Sequence, residues 1–223
     1  MEDEYCIRNG GRFAAVFDGH GGGDVSTYLR NQLYDRIESH LEQSSNLKNS
    51  LSLDTTISSI RKAFDEIDAQ VLETDKLQYQ GSTAVAVYLH RDDVTGRQTL
   101  ISANVGDSRA ILSQSGVAVD LTRDHKPDDK MERKRIMDMG ERIEWDDYSG
   151  VFRVRNLSLS RAIGDRFAKP VVSGEVEIKV FPLEEEIKVG TKTTHDFVVL
   201  ASDGLWDVMT SQVGARICFI LAN

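Results

Sequence analysis

Apolar residues at Val25, Tyr28, Leu29, Leu33, Ile37 and Leu41 fall at three- and four-residue steps behind Asp24. That spacing predicts an amphipathic helix capped by the aspartate. The polar stretch "SSNLKNS" reads as a loop. Asp54 is expected to cap a second helix, packed on the first, in which Ile57, Ile60, Phe64, Ile67 and Val71 repeat the period. From Gly81 the period drops to two. "STAVAVYL", "QTLISANV", "RAILSQ" and "VAVDL" are separated by "DDVTGR", "GDS" and "SG", the pattern of an antiparallel meander. Phe13 to Phe17 is a further apolar run. A third helix is predicted from about Asp129 to Met139, stopped by Gly140, and strands resume at "ERIEW", "VFRV", "EVEIKV" and "DFVVLAS". Helices grouped between blocks of hairpin-linked strands predict an α+β sandwich, not a doubly wound parallel sheet. Neither a repeat nor a domain break interrupts the pattern, so one domain over residues 1–223 is expected.

Composition narrows the function classes. With 40% apolar and 28% charged residues the chain resembles ordinary globular proteins, and its net charge of −9 disfavours nucleic acid and anionic membrane as partners. Cys6 and Cys218 have no metal-ligand spacing and form no disulfide framework, which predicts a reducing compartment. No apolar run approaches the length of a bilayer span, and the acidic start "MEDEYCIRNGG" is unlike a signal peptide. A soluble, monomeric protein of the cytoplasm or nucleus is expected.

The chemistry lies in acids placed just after strands and beside glycine. Asp18 ends "FAAVF", Asp107 follows "ISANV", Asp165 lies in "AIGD", and Asp203 follows "FVVLA" with Asp207 four residues on. Turn preference alone accounts for Asp beside Gly. It does not account for repeated placement after apolar strands, where gathered carboxylates would repel one another unless a cation relieved them. Oxygen donors without paired Cys or His favour Mg²⁺ or Mn²⁺ over zinc. A different class competes for the same letters: "HGGG" resembles an esterase oxyanion loop, and "GDSRA" a nucleophile elbow at Ser108. The elbow needs a helix after the serine, whereas "RAILSQSGVAVDL" alternates like a hairpin.

"MED" at 1–3, "FDGHGG" at 17–22, "GST" at 81–83, "NVGDSRA" at 104–110, "DHKP" at 124–127, "SRAIGD" at 160–165 and "ASDGLWDVM" at 201–209 occur in this order. Together they closely resemble the metal-dependent Ser/Thr protein phosphatases of type 2C. The resemblance covers essentially the whole chain and implies two stacked antiparallel sheets flanked by helices. It implies hydrolysis of phosphoserine and phosphothreonine in proteins by water held between two Mg²⁺ or Mn²⁺ ions, with a weaker third ion and no phosphoenzyme. By this resemblance Asp18 bridges the two ions, the Gly19 carbonyl and Glu2 serve the second, and Asp203 serves the first. Asp107, Asp203 and Asp207 surround the third, Asp3 holds metal-bound water, and His20 protonates the departing oxygen. His40, His90, His125 and His195 are assigned surface or loop roles. Asp165 is assigned a structural or supporting role with Arg161 as its partner, Trp206 a core role, and "MERKRIMDM" a solvated helix face.

Departures accompany the matches. The phosphate-binding Arg that family members carry before the Glu-Asp pair has no counterpart here, and neither does the terminal Asp-Asn strand whose Asp is a metal ligand. Arg155 and Ser158 stand where Gly and Ala are usual. A fold lacking the first and last family strands is therefore expected, with apolar residues such as Phe219, Ile220 and Leu221 short of cover. Two functions remain open: a metal-dependent phosphatase, or a catalytically impaired relative that binds phosphoproteins or partner proteins without turnover.

Overall fold

The structure, a computed structural model, describes residues 2–48, 51–93, 95–183 and 196–222. Its larger sheet is antiparallel, in the order β1 (Glu4–Arg8), β2 (Phe13–Phe17), β5 (Ala84–Arg91), β6 (Gln98–Val105) and β12 (Glu177–Pro182). A second sheet joins β13 (Phe197–Ala201), β7 (Arg109–Gln114) and β8 (Val117–Asp120). Val85, Val87 and Leu100 of the first sheet meet Ala110, Leu112, Val198 and Leu200 of the second. The α+β sandwich read from the periodicity is the observed fold.

Helices α1 (Asp24–Lys48) and α2 (Leu53–Glu73) cover the outer face of the larger sheet. Leu29, Leu33, Ile37, Ile60, Phe64 and Ile67 interlock there with Phe13, Phe17 and Ile101. Two expectations are corrected at their junction. The cap of α2 is Ser52, whose hydroxyl accepts the Thr55 N–H, and Asp54 sits in the first turn. The stretch read as a loop begins inside α1, which runs on to Lys48.

Helix α3 (Lys130–Asp138) lies where the third helix was expected, with Asp129 as its cap, but it is not simply a solvated face. Glu132 is buried and is salt-bridged by Arg161 at 2.7 Å, Arg135 at 2.9 Å and Arg123 at 3.2 Å. Burial opposes its ionisation, but the hydrogen bonds and charges of Arg161 and then Arg135 prevail and hold the carboxyl at about 2. Arg161 is thus the partner of Glu132 and not of Asp165. A short hairpin, β9 (Glu144–Asp146) with β10 (Val151–Arg153), follows α3.

Among the described residues β13 is paired only with β7, so its other edge is open. A cavity of about 1300 Å³ lies beside it between the sheets, lined by Val87, Leu100, Leu112, Val198 and Leu200. The chain's last described element is a helix, α5 (Ser211–Ala222), which packs on β7 and β8. Ile220 and Leu221 on it are exposed, while Phe219 lies against Gly116.

Candidate functional site

Strand register brings the separated acids to one end of the sandwich. In the larger sheet Val16 pairs with Val85 and Ala84 with Val105, so Asp18, Thr83 and Gly106 leave their strands at the same edge. In the smaller sheet Ala201 pairs with Arg109, which sets Asp203, two residues beyond, opposite Asp107, two residues before. The β6–β7 connection carries Gly106 and Asp107 from one sheet to the other.

Hydrogen bonds fix that edge. Asp18 N–H donates to Thr83 Oγ1 at 3.1 Å and Thr83 N–H to the Asp18 carbonyl at 2.9 Å. Thr83 Oγ1 is 2.7 Å from Ser108 Oγ, which is fully buried. Ser108 is therefore a structural hydroxyl, and the strand β7 that follows it leaves no place for a nucleophile elbow. The Ser26 hydroxyl on α1 donates to the Glu2 carbonyl at 2.6 Å, and a Cβ at Gly19 would lie 2.7 Å from both atoms. Only glycine lets the backbone after Asp18 pass this close. On the other side Ser202 Oγ donates to Asp3 Oδ2 at 3.1 Å, tying the start of β1 to the end of β13.

The electrostatics are those of crowded anions. Asp18 is pushed up to about 8 by burial and by the charges of Asp3 and Asp203, with Asp3 within hydrogen-bond reach and Asp107 adding to the effect. Asp107 is buried and pushed up to about 7 by burial and Asp203, against the opposing pull of Lys126. The structure thus brings Asp3, Asp18, Asp107 and Asp203 into one field. Glu2 is exposed, and its backbone carbonyl is held by the Ser26 hydroxyl beside Gly19. Asp207 is exposed and ion-paired with Lys126 at 2.7 Å.

Among the described residues no three His, Cys, Asp or Glu side chains gather closely enough to enclose an ion by themselves. The chemistry of the donors nevertheless fits a hard divalent cation: carboxylate oxygens in excess of cationic partners, beside a backbone that glycine lets approach. Mg²⁺ in particular is commonly held by one or two carboxylates and keeps several waters.

Beside the acids, Gly19–His20 forms strand β3, which pairs with β4 (Gly81–Ser82), and β4 pairs with β11 (Ile163–Gly164). These two-residue strands place His20 Nε2 2.7 Å from Oδ2 of fully buried Asp165. Burial works against the imidazolium, but the hydrogen bond and charge of Asp165, then Asp18 and Asp107, raise the His20 pKa overall. Asp165 adopts the left-handed conformation, with φ 51°, and its Oδ1 has no hydrogen-bond partner. At Gly81 a Cβ would stand 2.3 Å from Asp165 Oδ2 and 2.6 Å from His20 Nε2. The glycine of "GST" is therefore the space in which the pair meets.

Other residues acquire roles that sequence reasoning missed. His125 is buried; its Nδ1 accepts the Gly106 N–H at 3.1 Å and its own N–H donates to the Gly106 carbonyl at 3.0 Å, clamping the turn that carries Asp107. Its placement inside "DHKP" was the available signal. His40 and His90 are buried too, hydrogen-bonded to Glu66 and Thr56, so none of these three is a surface histidine; His195 lies outside the described residues. Trp206 is buried as expected. It closes the short helix α4 (Asp203–Trp206), donates to the Arg109 and Ala201 carbonyls, and lies beneath the Arg109 guanidinium.

Comparison with known proteins agrees with this geometry. The family model described as Protein phosphatase 2C matches residues 8–218. The Arabidopsis thaliana protein named "Probable protein phosphatase 2C 11" is 40% identical over 203 residues, covering 90% of this chain and 47% of the relative. The Oryza sativa subsp. japonica "Probable protein phosphatase 2C 45" is 39% identical, covering 88% of this chain and 61% of the relative. The chain thus spans about half to two thirds of the length of these curated relatives. Among solved structures, a C. elegans sex determining protein superposes with a TM-score of 0.80 at 28% identity, over 100% of this chain and 53% of its own. The serine-threonine phosphatase 2C of Toxoplasma gondii shares the fold, with a TM-score of 0.77 at 22% identity over 97% of this chain and 77% of its own.

Proposed function

The chain belongs to the protein phosphatase 2C family, and from that premise we propose that it hydrolyses phosphoserine and phosphothreonine in proteins with the help of Mg²⁺ or Mn²⁺. The observation that carries the reading is the His20–Asp165 pair, 2.7 Å apart, standing beside the field of Asp3, Asp18, Asp107 and Asp203.

In this proposal Asp18, the Gly19 carbonyl, Asp203 and Glu2 would hold two ions, Asp107 and Asp207 would help to hold a weaker third, and Asp3 would orient water. Bound divalent ions supply charge neutralisation at the phosphoryl group and lower the pKa of water at neutral pH. The chain's own residues do the rest. His20 keeps a proton on the ring and delivers it to the departing seryl or threonyl oxygen, which is a poor leaving group without it. Asp165 fixes the ring's orientation and favours its charged form. Thr83 holds the Asp18 backbone, so the carboxylate is presented without reorganisation. Ser108 takes no part as a nucleophile, and no phosphoenzyme forms.

A second reading is favoured by one observation: among the described residues no three acidic or imidazole side chains enclose an ion. On that reading the chain is a phosphoprotein-binding or partner-binding relative without turnover. The net charge of −9 supports protein over nucleic-acid partners on either reading, and no described helix is long and apolar enough to cross a membrane. A monomer acting in the cytoplasm or nucleus completes the proposal. The discriminating experiment is phosphate release from a phosphothreonine peptide with Mn²⁺ and with EDTA. Release that needs Mn²⁺ and stops with EDTA supports the phosphatase. A folded chain that releases none with Mn²⁺ present supports the binding module.

A further inference from the structure

Tyr79 and Phe167 form an exposed aromatic shelf beside the His20–Asp165 pair. They are 65% and 41% exposed, large values for rings, and their centroids lie 5.7 Å apart. The shelf is built from the same two segments that build the pair. Tyr79 is two residues before Gly81, and Phe167 is two residues after Asp165. Asp165 N–H donates to the Gln80 carbonyl at 2.9 Å and Phe167 N–H to the Gln78 carbonyl at 3.4 Å, so the two segments run together. On the other side the glycine loop passes directly beneath: a Cβ at Gly21, the residue after His20, would lie 2.3 Å from the Tyr79 carbonyl oxygen. The shelf is thus continuous with the surface on which the phosphorylated residue must lie.

The charges around it select the occupant. Arg166, between Asp165 and Phe167, is occupied: its guanidinium donates to the Leu72 carbonyl at 3.1 Å, to Asp75 at 3.1 Å and to Gln78 at 3.4 Å. Lys169 donates to the Ala162 carbonyl at 2.7 Å and is 3.3 Å from Asp68. Both cations beside Phe167 thus already have partners within the chain, while Lys76, three residues before Tyr79, is exposed. What the face does offer is two ring surfaces, which lose little conformational freedom when a third ring or an aliphatic side chain covers them.

Resting on the phosphatase reading above, we infer that Tyr79 and Phe167 form a substrate subsite for an apolar, preferentially aromatic, side chain close to the phosphoserine or phosphothreonine of the protein substrate. The shelf selects among phosphoproteins, whereas the acidic edge and His20 act on any of them.

The test uses the full chain with Mn²⁺ and two fluorescein-labelled phosphothreonine peptides that differ only in carrying Phe or Ser at the positions flanking the phosphothreonine. Affinities are read by fluorescence anisotropy and turnover by phosphate release. The Phe peptide is expected to bind about two- to tenfold more tightly, the size of one aromatic contact. That preference should vanish in a Tyr79→Ala, Phe167→Ala variant whose melting temperature shows it to be folded. Equal affinities in the unaltered chain, no measurable binding of the Phe peptide, or a preference that survives in the variant would overturn the subsite. If the preference stands but neither peptide is hydrolysed, the phosphatase reading fails and the subsite survives. If both are hydrolysed with equal affinity, the subsite fails alone.

Discussion

His20 Nε2 lies 2.7 Å from Asp165 Oδ2 although 145 residues separate them in sequence. The contact exists because β3, β4 and β11 pair in a three-stranded sheet whose middle strand offers glycine at the point of contact. Asp165 acts through His20 and is a positioning residue. Asp165→Asn keeps the volume and removes the charge. It is expected to slow phosphothreonine-peptide turnover by about tenfold or more, within the roughly 10²–10⁴ that general acid catalysis supplies. Hydrolysis of p-nitrophenyl phosphate, whose leaving group needs no proton, should suffer much less. Equal losses on both substrates would mean that Asp165 serves the fold and not the proton.

Gly81→Ala should disable the same pair by a different route. The new methyl would stand 2.3 Å from one partner and 2.6 Å from the other, closer than real Cβ contacts allow, so the carboxylate or the ring must turn away. Peptide turnover should fall at least as far as in Asp165→Asn, with the far-ultraviolet circular dichroism retained. A variant with full activity would show that the pair is not required.

Glu132 makes the fold acid-sensitive. Its folded pKa, about 2, lies below the ordinary glutamate value, so its contribution is present in full above pH ~4.5 and is lost as pH falls toward 2. Glu132→Gln, which leaves three arginines facing a neutral side chain, should cost roughly 3–5 kcal/mol at neutral pH. Chemical denaturation between pH 3 and pH 7 checks both statements: the variant should gain less stability than the parent over that range, Glu177, which is also held well below the usual glutamate value, supplying part of what remains. Identical pH profiles would contradict the assignment.

Ser108→Ala separates the phosphatase from the esterase reading. The hydroxyl is buried against Thr83, so its loss should cost about 1 kcal/mol of stability and leave the metal-dependent reaction largely intact. Esterase activity that disappears in this variant would reverse the conclusion.

Legibility in the sequence followed the range of the interactions. Helices α1 and α2 were readable because each buries one face against the core, and strands β5 to β7 because they are continuous apolar runs, β5 and β6 being buried on both faces between the helices and the second sheet. Strand β1 was not, because it is an edge strand with Tyr5 and Ile7 exposed and only Cys6 turned inward, which inverts the usual alternation. The last turns of α1 looked like a loop because Ser44, Ser45 and Asn46 carry no apolar face. Asp18 and Asp203 were legible as acids ending apolar strands. The supporting role of Asp165 was legible, but its pairing with His20 across Gly81 was not, because two-residue strands carry no period and their pairing is set by tertiary register alone; the clamp of His125 on Gly106 was likewise missed. Arg161 was matched to the nearest acid in sequence, whereas the fold gave it the buried Glu132 on α3.

The central claim is that the strand-end carboxylates form a divalent metal site. Calorimetric titration of the chain with Mn²⁺ tests it most directly. Saturable binding is expected in the unaltered chain, and Asp18→Ala, which removes the acid at the centre of the field of Asp3, Asp107 and Asp203, should abolish it. Mn²⁺ binding of undiminished affinity in Asp18→Ala would contradict the site, and with it the proposed reaction.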